Sequence, residues 1–140
     1  MTTPVIIDTN VVVAGLLTAD AQAPTARILD GMLAAEFAYA VSTELLAEYR
    51  DVLGRPKLRK LHGLAADEIE TVLTELALHA IVLPLASACP APDPGDQHLW
   101  DLLAAHTGLT LVTGDARLLE SGDWPGRIFN PRQWLDETDE

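Results

Sequence analysis

Short apolar runs alternate with longer stretches of helical periodicity along this chain. Residues 5–7 are branched and apolar, too few for a helix, and predict a fully buried strand. Further runs that predict strands lie at residues 37–41, 80–85, 109–113 and 127–129. Strands that alternate with helices are typical of a parallel sheet with helices on both faces. The pattern therefore predicts an α/β chain with three layers, α/β/α.

Apolar residues with helical spacing fill the stretches between these strands. Helices are expected at residues 11–17, 25–35, 43–53, 64–78 and from Asp96 onward, with short helical turns at 117–119 and 131–135. Ser42 is the expected N-cap of the third helix. Residues 122–126 predict a loop and residues 136–140 a frayed acidic tail. Without repeats or a long linker, we expect one domain over residues 1–140.

Composition excludes several classes of protein. Apolar residues make up 49% of the chain and charged residues 21%, which is an ordinary globular balance. No apolar run approaches the roughly 18 residues that a membrane span needs, and the first residues do not resemble a signal peptide. A single cysteine, Cys89, excludes an internal disulfide and a cysteine-based zinc site. These features favour a cytoplasmic protein.

The net charge is −12, from 9 basic and 21 acidic residues. This balance argues against broad nucleic-acid binding through a basic surface. It does not exclude a nuclease, because carboxylates that bind metal make such a site acidic. Acidity that only aids solubility, or a basic protein partner, explains the charge equally well.

Two predicted strands end in a carboxylate. Asp8 follows residues 5–7, and Asp115 follows the strand that ends at Thr113. Ligands of open parallel sheets bind outside the carboxyl ends of the strands. Both acids are therefore expected at one edge of the sheet.

Two further acids are candidates for the same edge. Glu48 lies at the border of the apolar stripe of its helix, whereas Glu44 lies nearly opposite that stripe. A solvated helix charge is the plain alternative for either, and the geometry favours Glu48. Asp96 stands at a helix start, close to the centre of a stripe made by Leu99, Leu102, Leu103 and His106. A simple helix cap is the alternative for Asp96.

Four carboxylates in one cleft cannot all ionise cheaply unless a positive charge lies between them. Oxygen ligands select hard cations, so Mg²⁺ or Mn²⁺ is the expected cofactor. Such a site polarises a phosphodiester and activates water. No histidine, cysteine or serine constellation competes with this chemistry, and His98 and His106 are interpreted as ordinary helix residues.

The basic residues form one cluster. Arg55, Lys57, Arg59 and Lys60 lie within six positions, and Arg50 is nearby. The cluster can contact RNA phosphates, although a charge run is more often a solvated surface.

The motifs together resemble the PIN-domain family over essentially the whole chain. The resemblance rests on VIIDTNVVVAGLL, VSTELLAEYRDVLGRPKL and PDPGDQHLWDLLAAHTGLTLVTGDARLL, in that order and spacing. It is greatest with the toxin-like branch of the family. It implies a central parallel sheet of about five strands and metal-dependent hydrolysis of RNA.

The resemblance also implies roles for individual residues. The family's four acids match Asp8, Glu48, Asp96 and Asp115. Of these, Asp8, Asp96 and Asp115 would bind the metal, while Glu48 would bind it or orient the attacking water. Asn10 and Thr113 match polar supports of the first and last acids, and Asp93 an acid ahead of the third. Relatives often carry further acids where Gly95 and Gln97 stand here, so the number of metal ions stays open.

In toxin-like relatives a small antitoxin encoded alongside blocks the cleft, and dimers are common. The resemblance therefore implies an RNA substrate, an antitoxin partner and a homodimer. The main alternative is a non-catalytic binding protein with the same fold. A phosphotransferase with Asp8 as nucleophile is disfavoured because Asn10 stands where a second aspartate is common. A dinucleotide site is disfavoured because no glycine-rich turn follows the first strand.

Overall fold

Strands and helices alternate in the computed structural model, which describes residues 4–86, 90–91, 93–106, 108–120 and 127–138. The strands are β1 (Val5–Ile7), β2 (Ala40–Val41), β3 (Ile81–Val82), β4 (Thr110–Val112) and β5 (Arg127–Phe129). The helices are α1 (Thr9–Leu17), α2 (Pro24–Leu33), α3 (Thr43–Leu53), α4 (Pro56–His62), α5 (Ala66–His79), α6 (Gln97–Ala104), α7 (Ala116–Leu119) and α8 (Pro131–Thr138). A 3₁₀ turn, Pro94–Asp96, leads into α6. The predicted α/β class is confirmed.

All strand pairs are parallel. β4 lies between β1 and β5, with Ile6 opposite Leu111 and Leu111 opposite Ile128. β2 pairs with β3 in a second sheet. One parallel bridge, from Val5 to Tyr39, lies between the two sheets. The described residues thus form sheets of three and two strands, not the single sheet of about five that the resemblance implied.

The expected strand at residues 37–41 is shorter than predicted, since only Ala40 and Val41 form β2. The chain leaves α2 through Ala35, whose φ of 55° is left-handed, and the Glu36 N–H donates to the Gly31 carbonyl at 2.8 Å. This turn ends directly ahead of the predicted strand. β3 is also short, and its side chains Ile81 and Val82 are 41% and 53% exposed.

The core lies around β1 and β4. Ile6 and Leu111 are fully buried, as the uninterrupted apolar runs predict. α1 packs on α2 and α3, and α3 packs on α5 and α6. The Tyr49 hydroxyl of α3 donates to the Ile7 carbonyl, which fixes α3 beside the end of β1.

Several helix bounds differ from the predictions. α1 begins at Thr9, two residues early, because the Asp8 side chain caps it. The basic stretch forms a helix of its own, α4, with Pro56 at its first position and Gly63 in the left-handed region after its end. α6 ends at Ala104, so His106 is exposed and does not extend the apolar stripe.

α8 extends to Thr138, so residues 136–138 are helical where a frayed tail was expected. The predicted loop at 122–126, Cys89 and the last two residues lie outside the described ranges. No helix in the described ranges is long and apolar enough to span a membrane.

Candidate active site

Asp8 is a buried carboxylate at the end of β1. Asp8 as a whole is 5% exposed, and its backbone N–H donates to the Val112 carbonyl of β4 at 2.9 Å. Oδ1 accepts the Thr9 N–H at 2.8 Å and so caps α1. Oδ2 accepts the Thr113 hydroxyl at 2.8 Å. Both oxygens are therefore held in place.

Asn10 and Thr113 connect the ends of β1 and β4. The Asn10 Nδ2 donates to Asp8 Oδ2 and to Thr113 Oγ1, each at 3.3 Å, and its Oδ1 accepts the Gly114 N–H at 3.0 Å. Thr113 is fully buried, and its hydroxyl accepts the Asp115 N–H at 3.0 Å. One hydrogen-bonded chain thus links the first and the last acid.

Burial raises the pKa of Asp8 to about 6. The Thr113 hydrogen bond lowers this pKa, and the negative charge of Asp96 raises it. Glu48 raises it further. A carboxylate with a raised pKa at a strand end is a candidate functional residue.

Glu48 is a half-buried carboxylate of α3 that is held from two sides. Its Oε1 accepts the Thr9 hydroxyl, and its Oε2 lies 3.0 Å from His98 Nε2 on α6. The His98 hydrogen bond is the main cause of a lowered Glu48 pKa. Glu44, one turn earlier, is exposed. The side chain at the border of the apolar stripe is therefore the one that faces the site.

Asp96 occupies the N-cap position of α6 but makes no capping hydrogen bond with its side chain. Burial is the main cause of its raised pKa, followed by the negative charges of Asp93 and Asp115. A simple helix cap does not describe this residue.

Arg117 pairs with two of the candidate acids. Its Nη1 lies 3.3 Å from Asp93 Oδ2, and its Nη2 lies 3.3 Å from Asp115 Oδ2. Burial raises the Asp115 pKa, but the Arg117 N–H and guanidinium outweigh it and lower that pKa overall. The guanidinium is two-thirds exposed, so the two ion pairs are weak.

The candidate acids thus form one acidic edge. The charges of Asp96 and Glu48 raise the pKa of Asp8, and the charges of Asp93, Asp115 and Glu48 raise the pKa of Asp96. A cleft of about 390 Å³ opens beside Asp8 and Glu48. Its polar lining is Asp8, Thr9, Asn10 and Glu48, and its apolar lining is Val13, Ala14, Leu17 and Val52.

A comparison with family models finds the PIN domain over residues 4–117. The chain belongs to the PIN-domain family. PIN domains are generally nucleases and generally depend on divalent metal ions. A comparison with curated proteins finds no match.

The acids of this PIN domain fit a divalent cation in donor type and charge. Carboxylate oxygens are hard ligands. Burial is the main cause of the raised pKa values of Asp8 and Asp96, repulsion from neighbouring acids adds to it, and a bound cation would offset both. However, no three His, Cys, Asp or Glu side chains among the described residues are placed together as ligands of one ion. Hydrogen bonds hold Glu48, and Arg117 holds Asp93 and Asp115.

None of the basic cluster lines the cleft beside Asp8 and Glu48, although the charge of Arg55 contributes to the lowered pKa of Glu48. Arg50 pairs with Glu70 at 2.9 Å, and Arg55 pairs with Asp51 at 3.0 Å. The other three members are exposed on α4, which contacts α1 and α3: Lys57, Arg59 and Lys60.

Three residues at this edge were not predicted: Thr9, His98 and Arg117. His98 was interpreted as an ordinary helix residue; it does lie on α6, and the contact of its ring with Glu48 was not anticipated. The sequence signal that could have identified His98 is its position two residues after Asp96. Thr9 had a similar signal, because it directly follows Asp8. Arg117 follows Asp115 by two residues, a spacing that suits an N-cap contact.

Proposed function

We propose that this PIN domain is a Mg²⁺- or Mn²⁺-dependent endoribonuclease that hydrolyses phosphodiester bonds in RNA. The main support is Asp8, a buried acid whose pKa is raised to about 6 and which stands beside Asp96 and Glu48. Neighbouring buried carboxylates are unfavourable to ionise. A bound cation offsets that unfavourable free energy and can also contact a phosphodiester.

Asp8 and Asp96 are the proposed main ligands of the metal ion. Asp115 joins them in this proposal once its exposed ion pair with Arg117 opens. A divalent cation held by these acids would stabilise negative charge on the phosphodiester and would lower the pKa of a nearby water.

The other residues act by orientation. Thr113 and Asn10 fix the Asp8 carboxylate through the hydrogen bonds described above.

In the proposed reaction the water oxygen bonds to phosphorus and the P–O3′ bond breaks. The water gives up a proton to solvent and O3′ takes one up, which leaves a 5′-phosphate and a 3′-hydroxyl.

The basic cluster is the proposed contact for RNA phosphates. Lys57, Arg59 and Lys60 are exposed on a helix that contacts α1, which carries the cleft wall. Arg50 and Arg55 belong to the same surface but share their charge with acidic neighbours. They would contribute less to RNA affinity.

We further propose that the chain is the toxin of a toxin–antitoxin pair and forms a homodimer. The resemblance to the toxin-like branch supports this, and the apolar side of the cleft offers a surface that a partner can cover. A short neighbouring reading frame for a DNA-binding antitoxin would support it. The test is to co-express this chain with the product of that reading frame and to purify the two together. If the complex cleaves RNA as fast as this chain alone, inhibition by that partner is contradicted.

The test of the nuclease compares Asp8→Asn and Asp96→Asn with Glu44→Gln, which changes an exposed acid. We expect both aspartate variants to fold and to lose cleavage of single-stranded RNA, while the control keeps it. Cleavage by both purified aspartate variants would sink the assignment.

A non-catalytic binding protein is the second candidate. The pairing of Arg117 with Asp93 and Asp115 favours it, because these acids are partly neutralised without a metal. Millimolar Mn²⁺ distinguishes the two, since a metal site raises the melting temperature by linkage. No shift would favour the binding protein.

A further inference from the structure

We propose that His98 is a positioning residue that holds the Glu48 carboxylate at the cleft, where Glu48 orients the attacking water. The inference rests on the proposed ribonuclease function. It assigns a role to a residue outside the set of acids.

Glu48 is fixed by two donors from different parts of the chain. The Thr9 hydroxyl comes from the start of α1 and reaches Oε1, and the His98 ring comes from α6 and lies 3.0 Å from Oε2. Glu48 itself is on α3, so the contact joins three helices. A carboxylate held at both oxygens keeps one orientation, yet each oxygen still has lone-pair capacity for a water.

The state of the His98 ring follows from its partner. A carboxylate only accepts hydrogen bonds, so Nε2 must carry a proton. The other nitrogen, Nδ1, is buried and has no hydrogen-bond partner in the described part of the chain. The side chain is 16% exposed. Within the described structure, the polar contact of this ring is therefore the one to Glu48.

The environment explains why Glu48 needs that donor. Glu48 lines the cleft together with Asp8, and Asp8 and Asp96 are close enough to feel its charge. The His98 hydrogen bond favours the ionised form of Glu48 in this acidic surrounding. Without it, Thr9 alone would orient the side chain, and repulsion from the other acids would favour turning it outward.

Four variants test the role. His98→Gln keeps an N–H donor near the position of Nε2, and His98→Phe keeps a ring without a donor. His106→Phe is the matched control, because His106 is exposed just beyond the same helix. Glu48→Gln completes a double-mutant cycle with His98→Phe, measured by urea unfolding without metal.

We expect His98→Phe to lower kcat for RNA cleavage about 10- to 100-fold, with KM within about 3-fold, as is usual for residues that orient a functional group. His98→Gln should recover most of the rate, and His106→Phe should match the wild type. The unfolding cycle should be non-additive, since the two side chains are in contact. The Mn²⁺ shift in Tm should be the same in wild type and His98→Phe.

Wild-type kcat in His98→Phe would overturn the inference while leaving the nuclease assignment intact. Three other results would also overturn it: equal losses of kcat in His98→Phe and His98→Gln, additive changes in unfolding free energy in the double-mutant cycle, or loss of the Mn²⁺-induced rise in Tm in His98→Phe. If His98→Phe does not fold, His98→Leu replaces it as the variant without a donor. If the wild type cleaves no RNA, the proposed function fails and this role fails with it.

Discussion

Replacing Asp8 by asparagine should stabilise the folded chain at neutral pH in the absence of metal. The pKa of this acid is about 6 in the folded chain, against 3.8 as the ordinary value. Its folded-state pKa is raised, so the folded state prefers the protonated form, and stability falls as pH rises from about 4 through about 6. The full effect is about 3 kcal/mol at 1.36 kcal/mol per pKa unit.

The substitution removes this cost but also weakens local contacts. Asp8 accepts the Thr9 N–H on one oxygen and the Thr113 hydroxyl on the other, and asparagine has one oxygen. Losing one such hydrogen bond costs about 1 kcal/mol. The net gain above pH 7 is therefore about 2 kcal/mol.

The sharper quantity is the change of this difference with pH. Between pH 5 and pH 8, the advantage of Asp8→Asn over the wild type should grow by about 1.4 kcal/mol, because ionisation of Asp8 is completed in that interval. Urea unfolding in excess chelator at both values measures it. Asp30→Asn, which changes an exposed acid of α2, is the control. A difference that stays constant or shrinks would refute the reasoning about burial at Asp8.

Two further predictions concern the surroundings of Asp8. Thr113→Val removes the hydroxyl that donates to Asp8 and accepts the Asp115 N–H, so unfolding in urea should show a loss of about 1–3 kcal/mol. Fully retained stability would mean that the buried hydroxyl is dispensable. Arg117→Gln frees Asp93 and Asp115 from an exposed cation, so Mn²⁺ should raise Tm more than in the wild type, with affinity up by roughly 2- to 5-fold. A smaller Mn²⁺ shift would show that Arg117 supports the metal site.

Elements with local signals were predictable from the sequence. α3 begins and ends where expected, because Ser42 caps it and its apolar stripe is unbroken. β5 also has the predicted bounds, and β1 does because its three branched residues are fully buried. These signals are contained within a few neighbouring residues.

Elements whose extent depends on distant partners were less predictable. Residues 37–39 meet β1 through the Val5–Tyr39 bridge and the Val5 N–H to Ala38 carbonyl hydrogen bond, so the extent of this strand depends on a partner far away in the sequence. α4 was missed because its seven residues carry little apolar periodicity. Its local signals were Pro56 at the first position and Gly63 after the end.

The residues of the candidate site also fall into a group that the sequence predicted and a group that it did not. Asp8 and Asp115 follow from the rule that parallel strands end at one edge, and Glu48 and Asp96 follow from helix geometry. Their partners Thr9, His98 and Arg117 depend on side-chain contacts across 39, 50 and 24 positions. Spacing along the chain does not reveal which donor reaches which acid.

The most direct test of the central claim is cleavage of a defined single-stranded RNA, followed by analysis of the product ends. We expect cleavage with Mn²⁺ or Mg²⁺ that stops in excess chelator. It should leave 5′-phosphate and 3′-hydroxyl ends, because in the proposed reaction water attacks phosphorus and O3′ leaves. Cleavage that persists in chelator, or that leaves a 2′,3′-cyclic phosphate, would contradict a metal-dependent hydrolysis at Asp8 and Asp96.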